Sequence, residues 1–335
     1  MNSEQQEGKN SILKEAWDRF LLYDKNASRI QSCFKREQFW ILFLGVFVTI
    51  LTLTKTQLLN DEIIERNFFI DELLQYLIIL LPITISVLTA AANRLKKGNK
   101  WVLLRAGAEA IKREIFRYRV FEETIAIKEP TALSWKERLA NKMNQISDKL
   151  VKTEVNMMAL SPVEEKDRQK LKTYYGDYLS LLEPDDYIKD RIENQYGFYE
   201  SKTKALERKL KRLYWLIYII GGLGTLLAAA GFQLWVALTT TLAGTITTFL
   251  QYQQVENTLM IYNQAATNLS NIKAWWLALP DEKKKKTGNN KKIEKLVEEN
   301  IKKLVEHTET ALQNELSGWV QQMEDVLADL YKTSE

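Results

Sequence analysis

From Leu213 to Gln251 the chain reads LYWLIYIIGGLGTLLAAAGFQLWVALTTTLAGTITTFLQ, an apolar stretch with no charged residue and one small-residue turn around Gly231. A helix rises ~1.5 Å per residue, and the hydrocarbon of a bilayer is ~30 Å thick. The stretch therefore predicts two membrane-spanning helices joined by a tight hairpin, each satisfying its own backbone amides as lipid requires. Two earlier runs predict another such pair. Phe39 to Thr54 (FWILFLGVFVTILTLT) is a slightly short span, and Leu73 to Ala92 is the next. Pro82 inside the latter is tolerated where neighbouring helices or water re-satisfy the freed carbonyl.

The pattern between and around these runs is helical and amphipathic. Residues 1–38 form a polar tail, expected to fray, and a helix carrying Ile12, Leu13, Trp17, Phe20, Leu21, Ile30 and Phe34 among charges. Residues 39–92 are the first hairpin, with an acidic outer loop of Asp61, Glu62, Glu65, Asp71 and Glu72 against Lys55 and Arg66. In 93–185 a helix is expected to continue out of the membrane after Arg94 and to stop at Glu129-Pro130. Leu133, Leu139, Met143, Ile146, Leu150 and Val155 then recur at helical spacing. Ser161-Pro162-Val163-Glu164 reads as a helix start with a serine cap, and Glu183-Pro184-Asp185 as a further break. Residues 186–212 lead straight into the third span, and 213–251 are the second hairpin. Residues 252–290 form a long helix ending in a lysine-rich linker. In 291–335 Ile293, Val297, Ile301, Leu304, Leu312, Trp319, Met323, Leu327 and Leu330 repeat at three and four, a helix that packs back on its neighbours or forms a short coiled coil. The expected fold is an all-α membrane protein, four spans in two hairpins with long cytoplasmic helical extensions.

Charge orients this arrangement. Lys35 and Arg36 precede the first span, Arg94, Lys96, Lys97 and Lys100 follow the second, and Arg208, Lys209, Lys211 and Arg212 precede the third. The loop within the first pair is acidic and the Gly231 turn is neutral, which puts both termini and the middle segment in the cytoplasm of a cell (inner or plasma) membrane. The polar N-terminus lacks the apolar stretch of a secretory signal. Mean hydropathy, −0.28 over 335 residues, averages apolar spans with very polar flanks rather than describing a uniform soluble chain.

Composition narrows function mainly by exclusion. One cysteine, Cys33, and one histidine, His307, leave no disulfide framework and no usual metal or acid–base cluster. No GxGxxG, Walker A, HExxH or GxSxG pattern occurs, so the expectation is a non-enzyme with no cofactor. Net charge is only +4, with basic residues interspersed among acids, so a nucleic-acid partner is not expected and Tyr174, Tyr175, Tyr178, Trp275 and Trp276 read as packing. Lys283 to Lys286 read as a solvated linker.

The halves repeat each other. QFWILFL from Gln38 falls on YWLIYII from Tyr214, and WVLLRAGAEAI from Trp101 falls on LMIYNQAATNL from Leu259. Each half is helix, span, span, helix. Before the second spans stand Asp186, Tyr187, Arg191, Gln195 and Tyr199, and after them ENTLMIYNQAATNLSNIKAWW, with Glu256, Tyr262, Asn263 and Trp275. On these residues the chain resembles the SLATT superfamily in its tandem form, DUF4231; Trp101, Arg105, Ala108 and Glu109 carry a looser match in the first half. The resemblance implies bacterial two-span modules thought to act as membrane-perturbing or pore-forming effectors linked to nucleotide second messengers. No sensing domain is legible in the chain, so a sensor would be a separate chain or the cytoplasmic helices themselves.

Within the second span Pro82, Ser86, Thr89 and Asn93 share a face, and the repeat sends them to Thr240, Gly244, Thr247 and Gln251. Close helix packing in lipid uses such small and hydroxyl residues; a wet path is the other reading. Four spans alone leave no lumen, so a pore implies a homo-oligomer. Asp71 and Glu72 would stand at its outer mouth and favour cations. No ionisable group lies within a span, which argues against a proton relay. The leading expectation is an oligomeric, cation-preferring or membrane-permeabilising pore gated through the cytoplasmic helices, in direct contact with the lipid bilayer. The alternative is a membrane-anchored oligomeric scaffold or sensor whose cytoplasmic helices bind a regulatory partner.

Overall fold

The computed structural model describes residues 3–60, 68–125, 133–285 and 291–332. Asp61, Glu62, Glu65 and Arg66 of the acidic loop, the Glu129-Pro130 break and Lys286 lie outside the described residues. Among the described residues every regular element is helical. The helices are α1 (Ser3–Asn60), α2 (Phe68–Leu95), α3 (Lys97–Thr124), α4 (Trp135–Val151), α5 (Glu165–Tyr175), α6 (Pro184–Tyr187), α7 (Asn194–Ala229), α8 (Gln233–Tyr252), α9 (Val255–Ala278) and α10 (Lys291–Lys332). A π turn, Ile188–Glu193, joins α6 to α7. The tail expected to fray is helical from Ser3, where glutamate and glutamine are good helix formers.

The chain forms two compact units. One comprises Met1–Ile30, Asn99–Thr203 and Met260–Glu324; the other comprises Gln31–Gly98, Lys204–Leu259 and Asp325–Glu335. They are called here the polar and the apolar unit.

The polar unit buries its aromatic residues. Trp17, Phe116, Tyr187, Tyr199 and Trp276 are almost wholly inaccessible, and each large side chain so buried contributes about 1.5–3 kcal/mol. The Trp17 indole packs edge-on against Phe116 and donates to the Tyr178 carbonyl at 2.9 Å. Of the arrangements open to the last helix, α10 packs back, burying Val297, Ile301, Leu304, Val305 and Leu312 in this unit. Two local expectations need correction. Ser161 does not cap a helix. Its backbone N–H donates to Asn26 Oδ1 at 2.9 Å and its hydroxyl accepts from Arg29 at 2.6 Å, so it is spent on α1. Helix α5 starts three residues later, where the Glu164 N–H donates to the Asp167 carboxylate at 3.1 Å. Leu133 is also half-exposed rather than packed with Leu139 and Met143, because α4 begins only beyond it, at a Ser134–Glu137 capping box.

The apolar unit shows the opposite distribution. Among the described residues three helical stretches that run into it, Ser11–Gln57, Asp71–Glu122 and Pro184–Ala229, are long and apolar enough to cross a membrane, and only 6%, 0% and 6% of their most apolar segments is buried by the rest of the chain. Phe39, Leu80, Val87, Trp215 and Leu226 project outward. Apolar surface on this scale has no place in water, and the chain is a membrane protein. Helix α8 is outside this set of three, because its glutamine start and six threonines lower its mean hydropathy.

Helix α2 does not continue into α3. Lys96 adopts φ 44° between them, and Gln254 adopts φ 47° between α8 and α9. No other non-glycine among the described residues has positive φ, a conformation that costs a residue with a Cβ roughly 1–2 kcal/mol. Lys96 and Gln254 are equivalent in the repeat. Each N–H bonds the carbonyl three residues back, Asn93 at 3.3 Å and Gln251 at 3.1 Å, and those too are equivalent. The duplication read in the sequence is therefore present in the backbone, down to its strained residue.

Candidate functional site

The densest polar chemistry lies inside the polar unit. Pro184 starts α6, and the π turn that follows carries Arg191, which is 3% exposed. Such turns recur at functional positions because the extra residue re-aims the side chains around it. Arg191 grips the fully buried Glu309 of α10 through both arms of its fork, Nε to Oε1 at 3.0 Å and Nη2 to Oε2 at 2.7 Å. The Tyr187 hydroxyl donates to the same Oε1 at 2.8 Å. The guanidinium carbon stands 4.7 Å from the Phe116 ring centroid, a cation–π contact between two buried side chains.

One and a half turns further along α10, Glu315 accepts from the Tyr199 hydroxyl at 3.1 Å, and Gln195 bonds that tyrosine in turn. Tyr262 of α9 packs on Tyr199 at 5.2 Å between ring centroids. Arg105 of α3 pairs with Asp24 of α1 and with Glu109 at 2.9 Å, and Lys112 reaches Glu109 at 4.0 Å. Burial, and next the like charge of Glu109, push the Glu315 carboxyl up to about 7 against the Tyr199 hydrogen bond and the charges of Arg105 and Arg191. Burial first, then the charge of Glu315, raise the Tyr262 phenol to about 12. Among the described residues no group of His, Cys, Asp and Glu could hold a metal ion.

The structure sorts the residues singled out in the sequence. Tyr187, Arg191, Gln195, Tyr199 and Tyr262 converge in this cluster. Trp275 is elsewhere on the polar unit, with Lys303 5.1 Å above its ring and His307 beside it, and Asn263 is exposed. Glu256 is part of the apolar unit, where it accepts from the Tyr214 hydroxyl. Glu309 and Glu315 were not anticipated. Their signal is an acid set into the apolar face of a helix: Glu309 follows Leu304, Val305 and Thr308 and precedes Leu312, all buried.

In the apolar unit Pro82, Ser86, Thr240, Gly244, Thr247 and Gln251 are exposed and Thr89 and Asn93 half-buried, so most of the stripe faces away from the chain's own helices. The hydroxyls turn back onto their own helices: Ser86 donates to the Pro82 carbonyl, Thr89 to Ile85, Thr240 to Val236 and Thr247 to Ala243, each at 2.9 Å. Thr239 lies at a packing seam, since a Cβ on Gly224 would come within 2.6 Å of its hydroxyl. Asp71 pairs with Lys55 at 3.4 Å, and Glu72 is exposed.

Two family models match this chain. Residues 187–319 match SLATT_1, the SMODS and SLOG-associating 2TM effector domain 1. Residues 18–124 match DUF4231, a protein family of unknown function. The two matches follow one another along the chain. The SLATT_1 match takes in the π turn, α7, α8, α9, and α10 through Glu309 and Glu315. The DUF4231 match takes in most of α1, α2 and α3, with Asp24, Arg105 and Glu109. The polar cluster thus draws residues from both matched segments. No curated protein and no solved structure matches the chain.

Proposed function

We propose that this protein is a multi-pass effector of the cell membrane that assembles from several copies into a cation-preferring or membrane-permeabilising pore. Its polar unit and both termini are cytoplasmic, and the polar unit's helices control opening. It crosses the bilayer four times. The twenty residues of α8 cover ~30 Å, its bonded threonines lower the cost of entering lipid, and the two-span description of the matched SLATT domain supports α7 and α8 as a hairpin. The basic residues flanking the spans support the orientation. The observation that carries the pore is the outward stripe Thr240, Gly244 and Thr247 with its repeat partners Pro82 and Ser86, which the single chain leaves uncovered. Once subunits gather on an axis, these helices line it. A regulator acts on the polar unit, either another chain or a small signal.

One reading competes, an oligomeric membrane anchor whose polar unit binds a partner. It draws on the self-bonded hydroxyls, which suit lipid or a dry helix interface equally well, and on Lys55, which offsets Asp71. Planar-bilayer recording separates the two. The pore reading expects discrete currents with cation selectivity, altered in conductance by Thr240→Leu and Thr247→Leu; a purified, oligomeric chain that passes no current leaves the anchor.

A further inference from the structure

The charges around Glu315 do not balance. The groups that meet inside the polar unit are Asp24 of α1; Arg105, Glu109 and Lys112 of α3; Arg191 of the π turn; Tyr199 of α7; Tyr262 of α9; and Glu309 and Glu315 of α10. Among these described residues three cations face four carboxyls. Arg105 is shared by Asp24 and Glu109, Lys112 adds to Glu109, and both arms of Arg191 hold Glu309. Among the described residues Glu315 receives the Tyr199 hydroxyl and is bonded by no cation.

We propose that Glu315 is a protonation switch for the polar unit: it holds a proton when α10 is seated and, on losing it, loosens α10 from Tyr199 and Tyr262. Glu315 is half-buried, and a carboxyl so placed with no cation bonded to it is better held neutral than ionised. Ionised, it would also repel Glu109 across the interior. The neutral form keeps the Tyr199 bond, because the carbonyl oxygen of a protonated carboxyl still accepts. Tyr187, Arg191 and Glu309 form a closed charge-balanced set that has no reason to change with it.

The direction of the effect is fixed. Unfolded, the carboxyl titrates near the ordinary 4.5; seated, it titrates near 7. Between these values the folded state binds more protons, so stability falls as pH rises through the window and levels off above it. The switch requires only the packing of the polar unit and holds whether or not the chain conducts.

Hydrogen exchange of the purified full chain in detergent, followed by mass spectrometry and corrected for the intrinsic rate, tests this without any transport readout. Protection of α10 peptides around Glu315 should fall about tenfold between pH 6 and pH 8. Glu315→Gln, which keeps the acceptor, should hold protection level over that range and exceed the wild type at pH 8. Glu109→Gln removes the like charge and should move the fall toward lower pH. A flat wild-type profile, or the same fall in Glu315→Gln, overturns the switch. Should Glu315→Gln not fold, a Glu109→Gln profile that coincides with the wild type overturns it equally.

Discussion

Tyr23 and Tyr199 occupy the same position in the two repeats, and both are buried. Each sends its hydroxyl to a helix outside the repeat. Tyr23 reaches Ser147 of α4 at 3.0 Å, and Tyr199 reaches Glu315 of α10 at 3.1 Å. The residues eight positions before them have diverged much further. In the first repeat Glu15 lies at the surface and pairs with Arg19 at 3.0 Å. In the second the same position is Arg191, buried in a π turn against Glu309. The duplicated lead-in helix thus keeps its anchor, and the helix laid over it decides whether charge is taken inside. Against α4, with Asn144 and Ser147, the partner is neutral; against α10 it is acidic.

The contrast can be broken most severely at Glu309. Glu309→Ala leaves Arg191 buried and unpaired, and should cost about 3–5 kcal/mol. Glu15→Ala at the position equivalent to Arg191 should stay within about 0.5 kcal/mol. Chemical denaturation of the detergent-solubilised protein measures both. Gly224 comes next. Valine stands at the equivalent position of the first hairpin, Val48, yet Gly224→Val should cost about 1–3 kcal/mol because the Thr239 hydroxyl occupies the space; the same denaturation assay reads it. Gly45 and its partner Gly221 have open space around them and should accept alanine without loss. For the two tyrosines, Tyr199→Phe leaves a half-buried carboxyl without its donor and should cost about 1–3 kcal/mol, more than Tyr23→Phe at about 0.5–1.5 kcal/mol. The most symmetric effect should come at the two helix breaks. Lys96→Gly and Gln254→Gly relieve positive φ and should each raise thermal stability by an equal increment, up to about 1 kcal/mol. Unequal gains would mean that one break is held by contacts the other lacks.

Much of this was legible in the sequence for physical reasons. Apolar runs of membrane length need no tertiary context, and the repeat is carried by their spacing. The Tyr187, Arg191, Gln195 and Tyr199 stripe was visible as a helix face because four-residue spacing survives the local widening into a π turn. What they bind was not visible. Glu309 and Glu315 lie more than a hundred residues away, and an acid on an amphipathic helix reads as solvated until something covers it. The breaks at Lys96 and Gln254 were hidden because neither residue is glycine, asparagine or proline, so nothing marks the left-handed turn. The threonines of α8 lower its hydropathy although their hydroxyls bond their own helix.

The whole account depends on a two-span hairpin used twice, and side-specific cysteine labelling tests that most directly. On a Cys33→Ser background, single cysteines replace Glu72, Phe232, Lys166 and Lys202 in intact cells treated with an impermeant maleimide. The account predicts that Glu72→Cys and Phe232→Cys react at once, and that Lys166→Cys and Lys202→Cys react only after permeabilisation. Phe232→Cys protected together with Lys202→Cys would mean that the second hairpin does not cross, and the duplicated four-span architecture would be wrong.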